Sequence, residues 1–172
     1  KSKKISLDDE SFRSELLGIA SKIEDVIPLG RGDPDFHTPK HIVEAAKRAL
    51  DDNKHHYTPP NGLPELRIAI SKNLQEKYNL TYDENEIVVT AGVQESIALA
   101  MLSLLETGDE VLITSPRFTT YDLNVRMCNA KPIPIPTYEK NNFSLMPNII
   151  EEKINDKTKL IVLVSPNNPT GA

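Results

Sequence analysis

Residues 159–171 read KLIVLVSPNNPTG, an apolar run rich in β-branched residues that passes directly into a loop with two asparagines and two prolines. A short apolar run of this kind is typical of a buried strand, and the change to proline and asparagine marks its end. Proline also favours an extended backbone in the residue before it, so Asn168 is held in a restricted conformation. The stretch therefore predicts a buried strand whose carboxyl end carries a rigid polar loop.

Similar apolar runs occur earlier in the sequence. From Ile87 onward, short β-branched runs alternate with helix-length segments, which is the pattern of a parallel α/β sheet. We predict strands over 87–90, 110–114, 132–135 and 159–164, with helices over 93–106, 119–129 and 146–154 between them. The fold class is therefore α/β.

The N-terminal part is predicted to be helical. Apolar residues recur at helical spacing over 12–23, and a second helix is expected over 39–51, with Thr38 as its N-cap and Pro39 at its first position. A third apolar stripe over 63–78 follows the turn signal Asn61-Gly62.

Composition limits the function. The 172 residues are 38% hydrophobic and 26% charged, with a net charge of −5 and no long basic block, so nucleic acid is a poor partner. The single cysteine, Cys128, cannot form an internal disulfide and is predicted to be a small core residue. No segment resembles a membrane span or a secretory signal, so a cytoplasmic enzyme or binding protein is expected. His55 and His56 lack further ligands at metal-binding spacing and are expected at the surface, so no metal site is predicted.

Three predicted strand ends carry groups suited to a ligand. Gly92 and Val93 open a helix after a strand, where backbone amides and the helix dipole favour an anion such as a phosphate. Phe118 could lay its ring over a planar ligand, and Asn168 could project its amide into the same cleft. Taken singly, these residues also fit a tight turn, a core phenylalanine and a plain Asn-Pro turn. Ligands of open α/β sheets bind beyond the carboxyl ends of the strands, so their joint occurrence favours a shared site.

Five motifs together resemble the class I/II aminotransferases, which are pyridoxal-phosphate-dependent enzymes of fold type I. The motifs follow the family's order and are GDPDFHTP at 32–39, YTPPNGLPELR at 57–67, TAGVQESI at 90–97, GDEVLITSPRF at 108–118 and SPNNPTG at 165–171. The resemblance implies a three-layer α/β/α architecture with a mostly parallel sheet. It also implies an N-terminal arm and small-domain segment over 1–38 and the first part of the cofactor-binding large domain over 39–172.

The resemblance implies roles for individual residues. Gly92 and Val93 match the phosphate cup, and Phe118 matches the residue that stacks on the pyridine ring. Asn168 matches the asparagine that hydrogen-bonds the phenolic oxygen of pyridoxal 5'-phosphate and lies beside the substrate. The remaining two matches are Tyr57, which reaches the cofactor phosphate of the neighbouring subunit in a homodimer, and Gly32, which lines the substrate carboxylate.

The lysine, carboxylate and arginine that the chemistry needs lie after NPTG in this family, so no catalytic residue is assigned in this chain. The chain is expected to be the N-terminal half of a homodimeric enzyme that acts on an amino acid and a 2-oxo acid, and to be inactive alone. Aspartate-type, aromatic and other substrates remain open. So do a lyase of the same family, a non-catalytic ligand-binding or interaction module, and a regulator with an aminotransferase-like domain.

Overall fold

The computed structural model describes residues 15, 16, 18–27, 32 and 34–172. These form two compact units, one that ends at Val89 and one formed by residues 90–172. The predicted boundary at 38/39 stays a prediction. Among the described residues, no helix is both long and apolar enough to span a membrane.

The first unit is helical. Helix α1 spans Lys40–Asp51, helix α2 spans Pro64–Tyr78, and a 3-10 turn follows at Glu84–Glu86. The predicted helix over 12–23 lies partly outside the described residues, of which 15, 16 and 18–20 are helical.

The start of α1 differs from its prediction. Thr38 is not the N-cap, because Pro39 takes that position with an extended ψ of 136° and no side-chain cap. The carbonyl of Pro39 accepts the N–H groups of Ile42 at 2.9 Å and Val43 at 3.2 Å. Thr38 is therefore one residue too early.

Gly62, in the turn before α2, has a φ of +96°, a conformation that L side chains rarely adopt. A Cβ at this position would lie 2.7 Å from both Cβ and Cγ2 of Val89. The N–H of Val89 donates to the carbonyl of the neighbouring Asn61 at 3.1 Å, which fixes this close approach.

This contact corrects the predicted strand at 87–90. The segment leaves the 3-10 turn with an extended backbone at Ile87, but it pairs with no strand in the part of the chain that the structure describes. A strand needs a neighbour to form a ladder, and the N–H of Val89 is bound to a loop carbonyl instead.

The second unit is the predicted parallel α/β unit. Its strands are β1 (Glu110–Ser115), β2 (Lys131–Pro136) and β3 (Thr158–Val162), in the order β2-β1-β3, with both pairs parallel. Helix α3 (Val93–Leu104) precedes β1, and helices α4 (Thr120–Met127) and α5 (Pro147–Glu151) lie between the strands. The other three predicted strands and the three predicted helices are confirmed. All three helices are shorter than predicted, β1 and β2 are longer, and β3 ends two residues earlier.

The hydrophobic cluster around Val111 lies on one face of β1, and Leu112, on the other face, is also fully buried. Alternate residues of a strand point to opposite faces, and Val111 and Ile113 point towards α3 and α4, where they pack with Met101, Leu105 and Val125. Cys128, predicted to be a core residue, is half-buried and packs against this cluster.

The outer edge of β2 carries no N–H donors. Lys131 and Thr137 direct their N–H groups to carbonyls of the β1 segment, so the odd-numbered positions face β1. The even-numbered positions face outwards, and they are Pro132, Pro134 and Pro136. Because proline has no N–H, this edge cannot donate to a further strand.

Candidate cofactor site

The N-cap of helix α3 has a backbone conformation that strongly favours glycine. Gly92 is the N-cap, with φ of 81° and ψ of 167°, a backbone region that is almost exclusive to glycine. No side chain caps this helix end, and nothing lies within 4 Å of the position that a Cβ would take. The space on the side-chain face of Gly92, at the start of this 12-residue helix, is therefore open.

The turn around this cap is held by polar contacts. The N–H of Gly92 donates to the carbonyl of Thr90 at 2.8 Å, and the hydroxyls of Thr90 and Ser96 lie 2.7 Å apart. The N–H of Ala91 donates to the Glu95 carboxylate at 2.5 Å. An anion at this helix end would consequently depend on Val93 and the following amides, with Gly92 providing the space for it.

Residues 105–109 connect α3 to β1. In parallel α/β units the helices run antiparallel to the strands on which they pack, so helix N-termini lie at the carboxyl edge of the sheet. A 12-residue helix is about 18 Å long and a six-residue strand about 20 Å, so the two elements have matching lengths.

The loop after β1 carries Phe118, which is half-buried. Arg117, directly before it, binds the carboxylate of Asp122 in the first turn of α4 through two hydrogen bonds of 2.6 and 2.5 Å. The hydroxyl and the N–H of Thr137, just past β2, both donate to the carbonyl of Ser115. Phe118 thus sits on a loop that is anchored on both sides.

The loop after β3 carries two asparagines in different surroundings. Asn168 is exposed, whereas Asn167 is half-buried. The side-chain nitrogen of Asn167 donates to the carbonyl of Pro116 at 3.2 Å and to the hydroxyl of Thr170 at 2.9 Å. The structure therefore brings together the loops that carry Phe118 and Asn168, and it does so through a residue that the sequence interpretation did not select.

A pocket of about 420 Å³ lies beside these loops. Two of its lining residues, Thr114 and Asn167, each carry a buried side-chain oxygen without a hydrogen-bond partner, Oγ1 and Oδ1 respectively. The sequence interpretation missed Thr114. A threonine near the end of an otherwise apolar strand was the available signal.

Tyr57 and Gly32 belong to the first unit. The side chain of Tyr57 is fully exposed and lines a shallow pocket of about 380 Å³ with His55, His56 and Thr58. Both histidines are exposed, as predicted. Gly32 is exposed, with nothing within 4 Å of an added Cβ.

Comparison with known proteins defines the family. The family model for aminotransferase class I and II matches residues 24–172. The chain belongs to this family. It is 51% identical over 158 residues to an aspartate aminotransferase from Pyrococcus horikoshii, covering 92% of this chain and 40% of the relative.

Solved structures support the same assignment. An alanine aminotransferase from Pyrococcus furiosus matches with a TM-score of 0.92 at 33% identity, over 100% of this chain and 45% of that one. An aromatic aminotransferase from Pyrococcus horikoshii matches with a TM-score of 0.84 at 41% identity, over 92% and 42%. The α/β fold of type I is thereby confirmed, and the aminotransferase-family chain spans less than half the length of these relatives.

Proposed function

We propose that the protein to which this chain belongs is a pyridoxal-phosphate-dependent aminotransferase that moves an amino group between an amino acid and a 2-oxo acid. The observation that carries the proposal is the start of α3. In a chain of the aminotransferase family, an uncapped helix end with open space at Gly92 has the form of a phosphate site.

The residues present fit the cofactor. The N–H of Ala91 is already bound to the Glu95 carboxylate. The phosphate would therefore be held by the amide of Val93 and by the positive end of the α3 dipole. Phe118 would stack on the pyridine ring. Asn168, exposed at the strand end, would donate its amide to the phenolic oxygen and lie beside the substrate.

When bound, pyridoxal phosphate supplies an electron sink for the pair released as the substrate loses its α-proton. In that chemistry, Phe118 and Asn168 would orient the pyridine ring of the cofactor, and Val93 would hold its phosphate. Three further residues are expected after NPTG, as the family resemblance implies: the lysine that returns the proton, the carboxylate that keeps the pyridine nitrogen protonated, and the arginine that binds the substrate carboxylate.

The proposal extends to the oligomeric state and the substrate class. We propose a homodimer in which Tyr57 reaches the partner's cofactor phosphate, supported by the complete exposure of its side chain, and Gly32 beside the substrate carboxylate. The relatives are named for aspartate, alanine and aromatic substrates, so the substrate is proposed only as an amino acid with its 2-oxo acid.

The test uses the full-length protein. We expect it to bind pyridoxal phosphate with a visible absorbance band and to convert an amino acid to its oxo acid with transfer of the amino group to a second oxo acid. Asn168→Ala should shift that band, because the phenolic oxygen loses its hydrogen-bond donor. Asn73→Ala, which removes an exposed asparagine of α2, is the matched control and should leave the band unchanged.

A full-length protein that binds no pyridoxal phosphate would overturn the proposal in favour of the interaction module. Product formation without transfer of the amino group would instead favour the lyase alternative. An unchanged band in Asn168→Ala would remove the role assigned to that residue.

A further inference from the structure

We propose that Asn167 is a positioning residue that holds the loop of Asn168 against the loop of Phe118. The inference rests on the proposed function for its consequence, since both neighbours are assigned to the cofactor. The contacts themselves are independent of that function.

The first argument is the bond between the loops. Nδ2 of Asn167 donates to the carbonyl oxygen of Pro116 at 3.2 Å, joining positions 51 residues apart in sequence. Pro116 lies two residues before Phe118, and Asn167 lies one residue before Asn168. One side chain therefore sets the spacing between the two loops.

The second argument is how firmly Asn167 is itself held. Its backbone N–H donates to the carbonyl of Ala172 at 2.7 Å, and its carbonyl accepts the N–H of Gly171 at 2.7 Å. Its Nδ2 also donates to the hydroxyl of Thr170 at 2.9 Å. These bonds close residues 167–172 into a compact turn, so Asn168 extends from a fixed base.

The third argument is that the acceptor is equally fixed. The residue after Pro116 is Arg117, which is tied to Asp122 by two charge-assisted hydrogen bonds. The carbonyl of Pro116 is thus a stable point, and the bond from Asn167 connects two ordered loops.

Asparagine suits this role because its amide carries two N–H groups, which here serve Pro116 and Thr170. Aspartate has the same shape but no donor, and serine has a single one. The two adjacent asparagines consequently have different roles. Asn167 faces inwards and positions, while Asn168 is exposed and remains available to a ligand.

The experiment places 4-fluorophenylalanine at position 118 of the full-length protein and records its ¹⁹F resonance without cofactor. Asn167→Asp removes both donors and keeps the shape, so we expect the resonance to shift or broaden. Retention of added pyridoxal phosphate should weaken roughly 3- to 10-fold, the range expected for loss of the one hydrogen bond that joins the two loops. Thr170→Val removes the hydroxyl that accepts from Asn167 and from the N–H of Ala172 and keeps the bond to Pro116, so it should change the resonance much less than Asn167→Asp.

The outcomes separate the two proposals. An unchanged resonance in Asn167→Asp overturns the positioning role, even if cofactor retention falls, because Asn167 would then act on the ligand itself. A shifted resonance in a protein that never binds pyridoxal phosphate supports the positioning role and overturns the proposed function. If Asn167→Asp does not fold, Asn167→Ala, which also lacks both donors, provides the comparison.

Discussion

Arg117 and Asp122 form a two-point ion pair in which Nε donates to Oδ2 at 2.6 Å and Nη2 donates to Oδ1 at 2.5 Å. The two side chains are only 17% and 18% exposed, so water screens the pair weakly. The pair connects the residue before Phe118 to the first turn of α4, where a carboxylate also complements the helix dipole. It is therefore the anchor of one side of the candidate site.

Replacing Arg117 with lysine should lower the free energy of unfolding by about 1 to 2 kcal/mol, because an ammonium group cannot reproduce the planar fork that binds both oxygens. Denaturant unfolding of the full-length protein measures this. Lys72→Met is the control, since it removes a pair with Glu76 whose side chains are 73% and 64% exposed. Such a surface pair contributes less than about 0.5 kcal/mol. Equal losses in the two variants would contradict the anchoring role of Arg117.

Gly92→Ala should weaken both stability and cofactor retention. An alanine at φ of 81° and ψ of 167° is strained by about 1 to 3 kcal/mol, and its methyl group would enter the space proposed for the phosphate. Gly108→Ala provides the comparison, because Gly108 has φ of +94° with open space around it but precedes the opposite end of β1. It should lose stability without releasing cofactor. If both variants retain pyridoxal phosphate equally well, the phosphate cup at Gly92 is wrong.

The sequence predicted the second unit well, because the β-branched runs at 110–114, 132–135 and 159–164 alternate with apolar helical segments that bury against them. It failed at 87–90, where the same β-branched pattern occurs. A local sequence pattern indicates which residues prefer an extended backbone, but a β-ladder also needs a neighbouring strand. At 87–90 the N–H of Val89 donates instead to the loop carbonyl of Asn61.

The site was predictable only in part. Gly92, Phe118 and Asn168 stand out because strand ends, glycine and proline leave local signals. Asn167 and Asp122 do not, since their roles come from contacts with Pro116 and Arg117 that only the folded loops create. The same holds for Thr114, which is distinguished by burial without a partner.

Gly62→Ala should destabilise the first unit more than its φ alone would require. The added Cβ would lie 2.7 Å from two side-chain atoms of Val89, so the backbone strain is joined by a steric overlap. We expect a loss of roughly 2 to 4 kcal/mol, against about 1 to 2 kcal/mol for Gly108→Ala, which has a similar φ of +94° and no neighbour within 4 Å. Denaturant unfolding of the two variants gives the difference, and equal losses would show that Val89 does not approach Gly62 closely.

Pro134→Thr should increase self-association of the full-length protein. Position 134 faces the outer side of β2, where proline leaves no N–H, and threonine both restores a donor and favours a strand. Light scattering and gel filtration at increasing protein concentration should show larger species than in the parent protein. Pro64→Ser, at the first position of α2, also exchanges a proline for a small hydroxyl residue but adds no donor to a sheet edge, so it should not associate. If Pro134→Thr behaves like Pro64→Ser, the alternating prolines of β2 do not protect its edge.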